Sequence, residues 1–400
     1  MRRSRIIILL LILILLACMV AHYIDQRTTI VSTPGKEIKI LYAGGVGLMP
    51  MLLATEQIDG YVAWQPYLAI GEESGIGKLV CPSQDFPPLG MWKDHPCCVL
   101  VARDDLIADH PDLVSSISLL TIYGTQYITE NPNRSSEIAA DWLMGGGNYT
   151  FGNGSVSSTE IIEKSRQTLK FTTGPTKDWL EAANLFVDAQ VDVMSVKEEL
   201  NLSDIFNFRP YENALKMYNS ENITTPGRVD KQLGLGYLMS DHHTPLFVAV
   251  KDWQYFNKTY GIALKPQDEK AIRPEVVDFI INGEKIAEFK LISASDGPPL
   301  MTLMEENCIH MAYVGITPPI GAISLGAKIK ILHPIQNEGS GLIVPTRSPA
   351  NDWNSFVLWA MERSSGGRPL IIADPDLGSI QDVMLKEALE DSGFTVVIAS

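Results

Sequence analysis

From Leu233 to the end, short apolar runs alternate with stretches of helical period. Leu235–Met239, Phe289–Ala294, His310–Val314, Lys330–His333, Leu342–Val344, Leu370–Ala373 and Phe394–Ile398 read as strands. Helices are predicted over Leu246–Tyr260, Leu300–Glu306, Ile320–Leu325 and Asp352–Ser364. Another starts at Ser379, where Val383, Leu385, Ala388 and Leu389 fall at roughly helical spacing. A helix-richer version of the pattern fills 37–218. Its strands are Glu37–Ala43, Ile58–Ala63, Lys78–Cys81 and Cys97–Ala102. Its helices are Leu48–Gln57, Pro111–Asn131, Ser135–Met144, Ser158–Thr168 and Thr176–Ala189. Around 219–234 the apolar period vanishes and Pro226-Gly227 intervenes, which reads as a linker between segments 37–218 and 235–400. Strands alternating with helices predict α/β architecture, with parallel sheets covered on both faces.

The first 21 residues are different. Met-Arg-Arg-Ser-Arg precedes an unbroken apolar run from Ile6 to Ala21. A basic head before such a run reads as a secretory signal or membrane anchor, with the bulk of the chain exported. The run is slightly short for a span, which needs about 20 apolar residues. Leu15-Leu16-Ala17-Cys18 also fits a lipoprotein cleavage box with Cys18 carrying the lipid; an incidental cysteine in an anchor helix fits equally. Residues 22–36 form a polar leader. Either reading tethers the protein to a membrane, facing outward.

The remaining length suits two lobes better than one core. The net charge of −15, with no basic stripe, argues against a nucleic-acid partner. Cys81, Cys97, Cys98 and Cys308 follow no zinc spacing, and no metal or other cofactor is expected. Adjacent Cys97 and Cys98 read as small strand residues on opposite faces, and a disulfide involving Cys81 is compatible with export. Asn-x-Ser/Thr sites at Asn133, Asn148, Asn153, Asn201, Asn222 and Asn257 suit an exported surface.

The candidate chemistry lies in the turns after the strands, where open α/β sheets collect ligands. Those turns are rich in Gly, Pro, Ser, Thr and His. Gly378-Ser379 opens a helix with Asp382 three residues on; Ser379 reads as N-cap, and the free amides behind it can cradle a small anion. An ordinary capped helix explains the same residues. His242 and His243 read equally as anion donors or as a cap for the helix at Thr244. Trp92 reads as a core or hinge aromatic, and Arg347 as lying past the cleft. No nucleophile–base–orienter spacing and no P-loop is present, so neither an enzyme nor a P-loop ATPase is indicated.

Several segments taken together resemble the solute-binding proteins of ABC importers for nitrate, sulfonates and taurine. They are Leu53-Ala54-Thr55-Glu56-Gln57-Ile58-Asp59-Gly60-Tyr61-Val62-Ala63-Trp64-Gln65-Pro66-Tyr67, Cys97–Val101, Asp241-His242-His243-Thr244-Pro245, Tyr313-Val314-Gly315-Ile316-Thr317-Pro318, Gly339-Ser340-Gly341 and Gly378-Ser379-Ile380-Gln381-Asp382. The resemblance covers nearly everything after residue 36, but the order is exchanged: 235–400 is similar to the family's first half and 37–218 to its second. That implies a circularly permuted, two-lobed periplasmic-binding-protein-like fold of type II, with Phe394–Ile398 leading by a short turn into Glu37–Tyr42. Truncation or swapping between molecules would give the same order. The resemblance also implies a small anionic solute of the nitrate, sulfonate or taurine kind between the lobes, and an ABC permease as partner. The liners it implies are Trp64, Gln65, His243, Gly315, Thr317, Gly339, Ser340, Gly378 and Ser379. Thiamine-pyrimidine-synthase-like proteins share the fold and supply the alternative of an enzyme or precursor-binding protein. An anchored ligand-sensing ectodomain is a third reading.

Overall fold

The computed structural model describes residues 35–151, 154–194 and 200–399. The N-terminal apolar run, Cys18, most of the polar leader and Asn153 lie outside the described residues. Among the described residues no helix is long and apolar enough to cross a membrane.

Two mixed sheets organise the chain. The smaller has the strand order Thr395–Ile398, Glu37–Tyr42, Ile371–Asp374, Gly60–Trp64, Ser340–Pro345, Gly77–Pro82. The larger runs Leu169–Phe171, Ile329–Glu338, Pro96–Arg103, Met311–Gly315, Gln232–Leu238, Glu284–Ala294, Val276–Ile281, Ile262–Pro266. Their central strands, such as Gly60–Trp64 and Met311–Gly315, are buried along their whole length, as sheets covered on both faces require.

The sheets are not purely parallel. Among the described residues the chain passes between them twice, through Ser83–His95 and through Gly339. Each passage delivers a strand running against its new neighbours: Pro96–Arg103 in the larger sheet and Ser340–Pro345 in the smaller. In each sheet the two crossing strands pair with each other, so the connections run side by side.

Three further departures have local causes. The helix expected over 246–260 is two helices, Thr244–Lys251 and Trp253–Tyr260. They break at Asp252, whose backbone leaves helical geometry at φ −105°, ψ 35° and whose carboxylate takes hydrogen bonds from Tyr127 and Arg134. Ile262–Pro266 and Val276–Ile281 add an antiparallel edge, and Asn148–Phe151 with Gly154–Ser157 form a separate hairpin. Cys81, Cys97, Cys98 and Cys308 are unpaired thiols, so the disulfide at Cys81 is not formed.

The chain ends meet differently from the short turn expected. Strand Thr395–Ile398 lies beside Glu37–Tyr42 but parallel to it, and parallel neighbours cannot be joined by a tight turn. The residue next to Lys36 is Thr395, whose N–H donates to the Lys36 carbonyl at 2.7 Å. Ala399 sits instead beside Ile40, about 13 Å further along the strand.

The larger sheet's helices pack through aromatic contacts. The Trp142 ring is fully buried and stacks on Phe247 with centroids 4.7 Å apart. It joins helix Pro132–Met144 to Thr244–Lys251. Trp142→Ala should cost about 3–5 kcal/mol in urea unfolding; a loss below about 1 kcal/mol would show that this contact contributes little to the fold.

Candidate functional site

The ends of strands from both sheets converge on one hollow. Trp64 closes strand Gly60–Trp64, and Ser379, Ile380 and Gln381 open helix Ile380–Asp391; these come from the smaller sheet. Cys97, Cys98, Ser240, His242, Asp296 and Gly315 come from the larger. The hollow is narrow, with a cavity volume of about 20 Å³.

Contacts bridge the two sides. Thr317 Oγ1 donates to the Gly378 carbonyl at 2.9 Å, and Ser240 Oγ to the Gln65 carbonyl at 2.8 Å. Gly45, at φ +114°, presses against Ser295, whose carbonyl would lie 2.8 Å from an added Cβ. Gly315 approaches Ile380 almost as closely, since a Cβ added there would lie 3.1 Å from Cδ1. The glycine-rich turns therefore permit close approach of the halves.

The residues expected to line the site divide into three groups. Trp64, Gly315 and Ser379 face the hollow. Thr317 and Gly378 line a second, more open depression next to it. Gln65, Gly339, Ser340 and His243 are not among the residues lining either. Gln65 is spent internally: its Oε1 accepts from Ala69 N–H and its Nε2 donates to Thr168. Ser340 Oγ accepts from Gln381 Nε2 at 2.7 Å and so supports the lining residue beside it. His243 turns into the core, where Nδ1 accepts from the Leu238 amide at 3.0 Å; burial lowers its pKa to about 3. The histidine that faces the hollow is His242.

The helix-terminus cradle is partly filled by the chain itself. Asp382 Oδ2 accepts from the Gly378 amide at 2.9 Å, and its own amide donates to Ser379 Oγ at 3.1 Å. Asp382 also takes Tyr42 Oη and Lys386 Nζ. The carboxylate thus takes one amide beside this helix terminus, that of Gly378.

Among the described residues no Arg or Lys lines the hollow. Arg347 pairs with Glu56 on the exposed surface at 2.8 Å. Two of the acidic groups here are pushed toward the neutral form. Burial raises Asp296 to about 8, against the pull of the Gly297 amide, with Asp376 and Asp382 adding to the rise. Burial and the charge of Asp382 also raise Asp374. Asp296 Oδ1 caps Gly297 at 2.5 Å, while Oδ2 is buried without a partner, as is Trp64 Nε1. At neutral pH a protonated Asp296 and the Trp64 indole are both donors.

The sulfur cluster was not legible from spacing. Cys97 and Cys98 are adjacent on a strand, yet both reach one nitrogen, His242 Nδ1, at 3.4 and 3.6 Å. Both stand near the start of strand Pro96–Arg103, at Cys97 and Cys98. Burial opposes a thiolate at Cys97, but the Cys98 thiol and the His242 ring outweigh it and hold its pKa well below the ordinary value. Burial also opposes charge on His242, and the Cys97 sulfur overrides it upward. Cys98 is raised by burial and by Cys97.

Two linked mixed sheets with a narrow hollow at their strand ends make an α/β protein consistent with a periplasmic-binding-protein-like fold. Sequence comparison agrees: the NMT1-like family matches residues 19–143. An uncharacterized protein of Methanocaldococcus jannaschii is 33% identical over 107 residues, covering 26% of this chain and 71% of that protein. No solved structure matches the chain. The chain belongs to the NMT1-like family, a family of ABC-transporter solute-binding type proteins.

Asp296 sets a pH test. Its raised folded-state pKa contributes stability that is complete below about pH 4 and lost as pH rises through about 8. Asp296→Asn should therefore raise the urea midpoint relative to wild type near pH 8, with the gap narrowing toward pH 5. Parallel pH profiles for the two proteins would mean that Asp296 does not titrate in the cleft.

Proposed function

We propose that this chain is the extracytoplasmic solute-binding component of an ABC importer, tethered by its N-terminal apolar run and delivering a small solute to a permease. The family supports the class. The observation that carries the reading is the pair of buried, unpartnered polar atoms, Trp64 Nε1 and Asp296 Oδ2, on two residues that line one hollow from opposite sheets. A buried donor without a partner costs about 1–3 kcal/mol, and a solute held between them would satisfy both.

The same atoms narrow the solute. It presents acceptors, such as the oxygens of a nitro, carbonyl or sulfonyl group, to two neutral donors. Among the described residues no Arg or Lys lines the hollow to clamp it. Solute selection by shape and neutral donors fits the narrowness of the hollow better than selection by net charge. Binding to both sheets favours their closure, because contacts to the second half form only when the halves meet.

The exchanged order of the segments fits a circular permutation. Strand Ile371–Asp374, helix Ile380–Asp391 and strand Glu37–Tyr42 form a βαβ unit whose two pieces meet at Thr395 and Lys36. Joining the chain there, ahead of the extra edge strand Thr395–Ile398, is the continuous order this reading requires.

Native mass spectrometry of the full chain, purified in mild detergent, tests the binding role. Wild type should carry a small solute released on unfolding, and nitrate, taurine, an alkanesulfonate, bicarbonate or a pyrimidine should raise its melting temperature. Trp64→Phe keeps the apolar wall and removes the N–H, so affinity should fall about tenfold. Absence of any adduct in wild type, with no thermal shift from the whole panel, would overturn the role.

A further inference from the structure

Cys97 Sγ, Cys98 Sγ and His242 Nδ1 form a triangle with sides of 3.9, 3.4 and 3.6 Å. All three side chains are buried, and among the described residues they are the group of His, Cys and acidic side chains with donor atoms mutually close enough to hold a metal ion. Zinc binds sulfur at about 2.3 Å and imidazole nitrogen at about 2.0–2.1 Å. Tetrahedral angles then give edges of about 3.8 Å between sulfurs and about 3.5 Å between sulfur and nitrogen. The triangle has the dimensions of one face of such a tetrahedron.

Hydrogen bonding offers a competing account, with the Cys98 thiol and a protonated His242 both donating to a Cys97 thiolate, and metal titration separates the two. The far ring nitrogen lies against the Gly339 backbone, where an added Cβ would come within 2.7 Å of it. The ring is thus held by packing against the crossing between the sheets. The donor set, two sulfurs and one imidazole, suits a soft or borderline ion and not calcium or magnesium.

We propose that Cys97, Cys98 and His242 bind one thiophilic d10 metal ion, Zn²⁺ or Cu⁺, at the wall of the inter-sheet hollow. All three ligands line that hollow together with Trp64, Asp296 and Ser379. A zinc ion on three protein ligands keeps a fourth position open, and here it faces the space assigned to the solute; Cu⁺ is complete with three. Binding releases the thiol protons to solvent. With Zn²⁺, the cleft that lacks Arg and Lys gains a Lewis-acidic contact for an acceptor oxygen. Only that last role rests on the solute-binding reading; the metal site itself does not.

The test uses the full chain, reduced and kept anaerobic. Titration with Co²⁺, the spectroscopic stand-in for zinc, should give thiolate-to-metal charge transfer and strong tetrahedral d–d bands saturating at one equivalent, bleached by Zn²⁺. A Cu⁺ arm, in competition with a coloured chelator, separates the two ions: retention of one Cu⁺ without cobalt bands assigns the three-coordinate site. Cys97→Ser and Cys98→Ser, which preserve volume, should each weaken binding at least tenfold, with circular dichroism confirming the fold. Failure of wild type to hold either ion would overturn the proposal. So would bands that persist in the double serine variant, because the metal would then sit on other thiols. Neither failure touches the solute adduct read by native mass spectrometry, and loss of that adduct leaves the cobalt bands unaffected.

Discussion

The passage of the chain from one sheet to the other at Glu338-Gly339 is the constraint on which the cleft depends. One residue separates strand Ile329–Glu338 from Ser340–Pro345, so the two sheets are tied with almost no slack. Both Glu338 and Gly339 adopt positive φ, 62° and 80°, which turns the strand out of one sheet and into the other. Buried Glu338 is held by the Asp94 amide at 3.0 Å and Lys170 Nζ at 2.9 Å. Asp94 belongs to the second crossing, so one carboxylate fastens both. Gly339 must lack a side chain, because the space beside it holds Leu169 and the His242 ring. The backbone turn that joins the halves therefore also sets the position of a cleft histidine.

The electrostatics of the cleft follow from burial more than from charge. Four carboxyls, those of Asp241, Asp296, Asp374 and Asp382, lie within or behind it, and all are nearly inaccessible. Asp382 is compensated by Lys386, Tyr42 and the Gly378 amide. Asp241 is raised to about 6, burial outweighing the favourable charge of His242, and Ser165 donates to it. Such a cleft repels a bare anion unless a proton or a metal ion accompanies it, and it offers neutral donors to an acceptor-rich solute. The acidic surface of the whole chain, at net −15, adds to that bias.

Much of this was legible in the residues, and the exceptions share a cause. The turns around the hollow were marked by Gly, Pro and Ser at strand ends, and Trp64, Gly315 and Ser379 of those turns line it. Alternating strands and helices carried the α/β class. Sheet direction was not visible, because strands Pro96–Arg103 and Ser340–Pro345 run antiparallel only through long-range crossing. The choice between His242 and His243 was equally hidden: neighbours on a 3₁₀ turn point in different directions, and nothing local says which faces the core. The cysteine cluster joins residues 145 positions apart, and an adjacent Cys pair resembles ordinary strand filling until His242 is placed beside it. The partial filling of the anion cradle had a local cause present in the pattern, since Asp382 at the capping position takes the Gly378 amide.

A crystal structure of the protein as purified tests the central claim most directly, namely that two tied sheets enclose a solute between unpartnered donors. The account predicts density for a non-protein group in the hollow, within hydrogen-bonding distance of both Trp64 Nε1 and Asp296 Oδ2. A structure in which those two atoms are satisfied by the chain's own groups, with the sheets packed directly on each other, would contradict it.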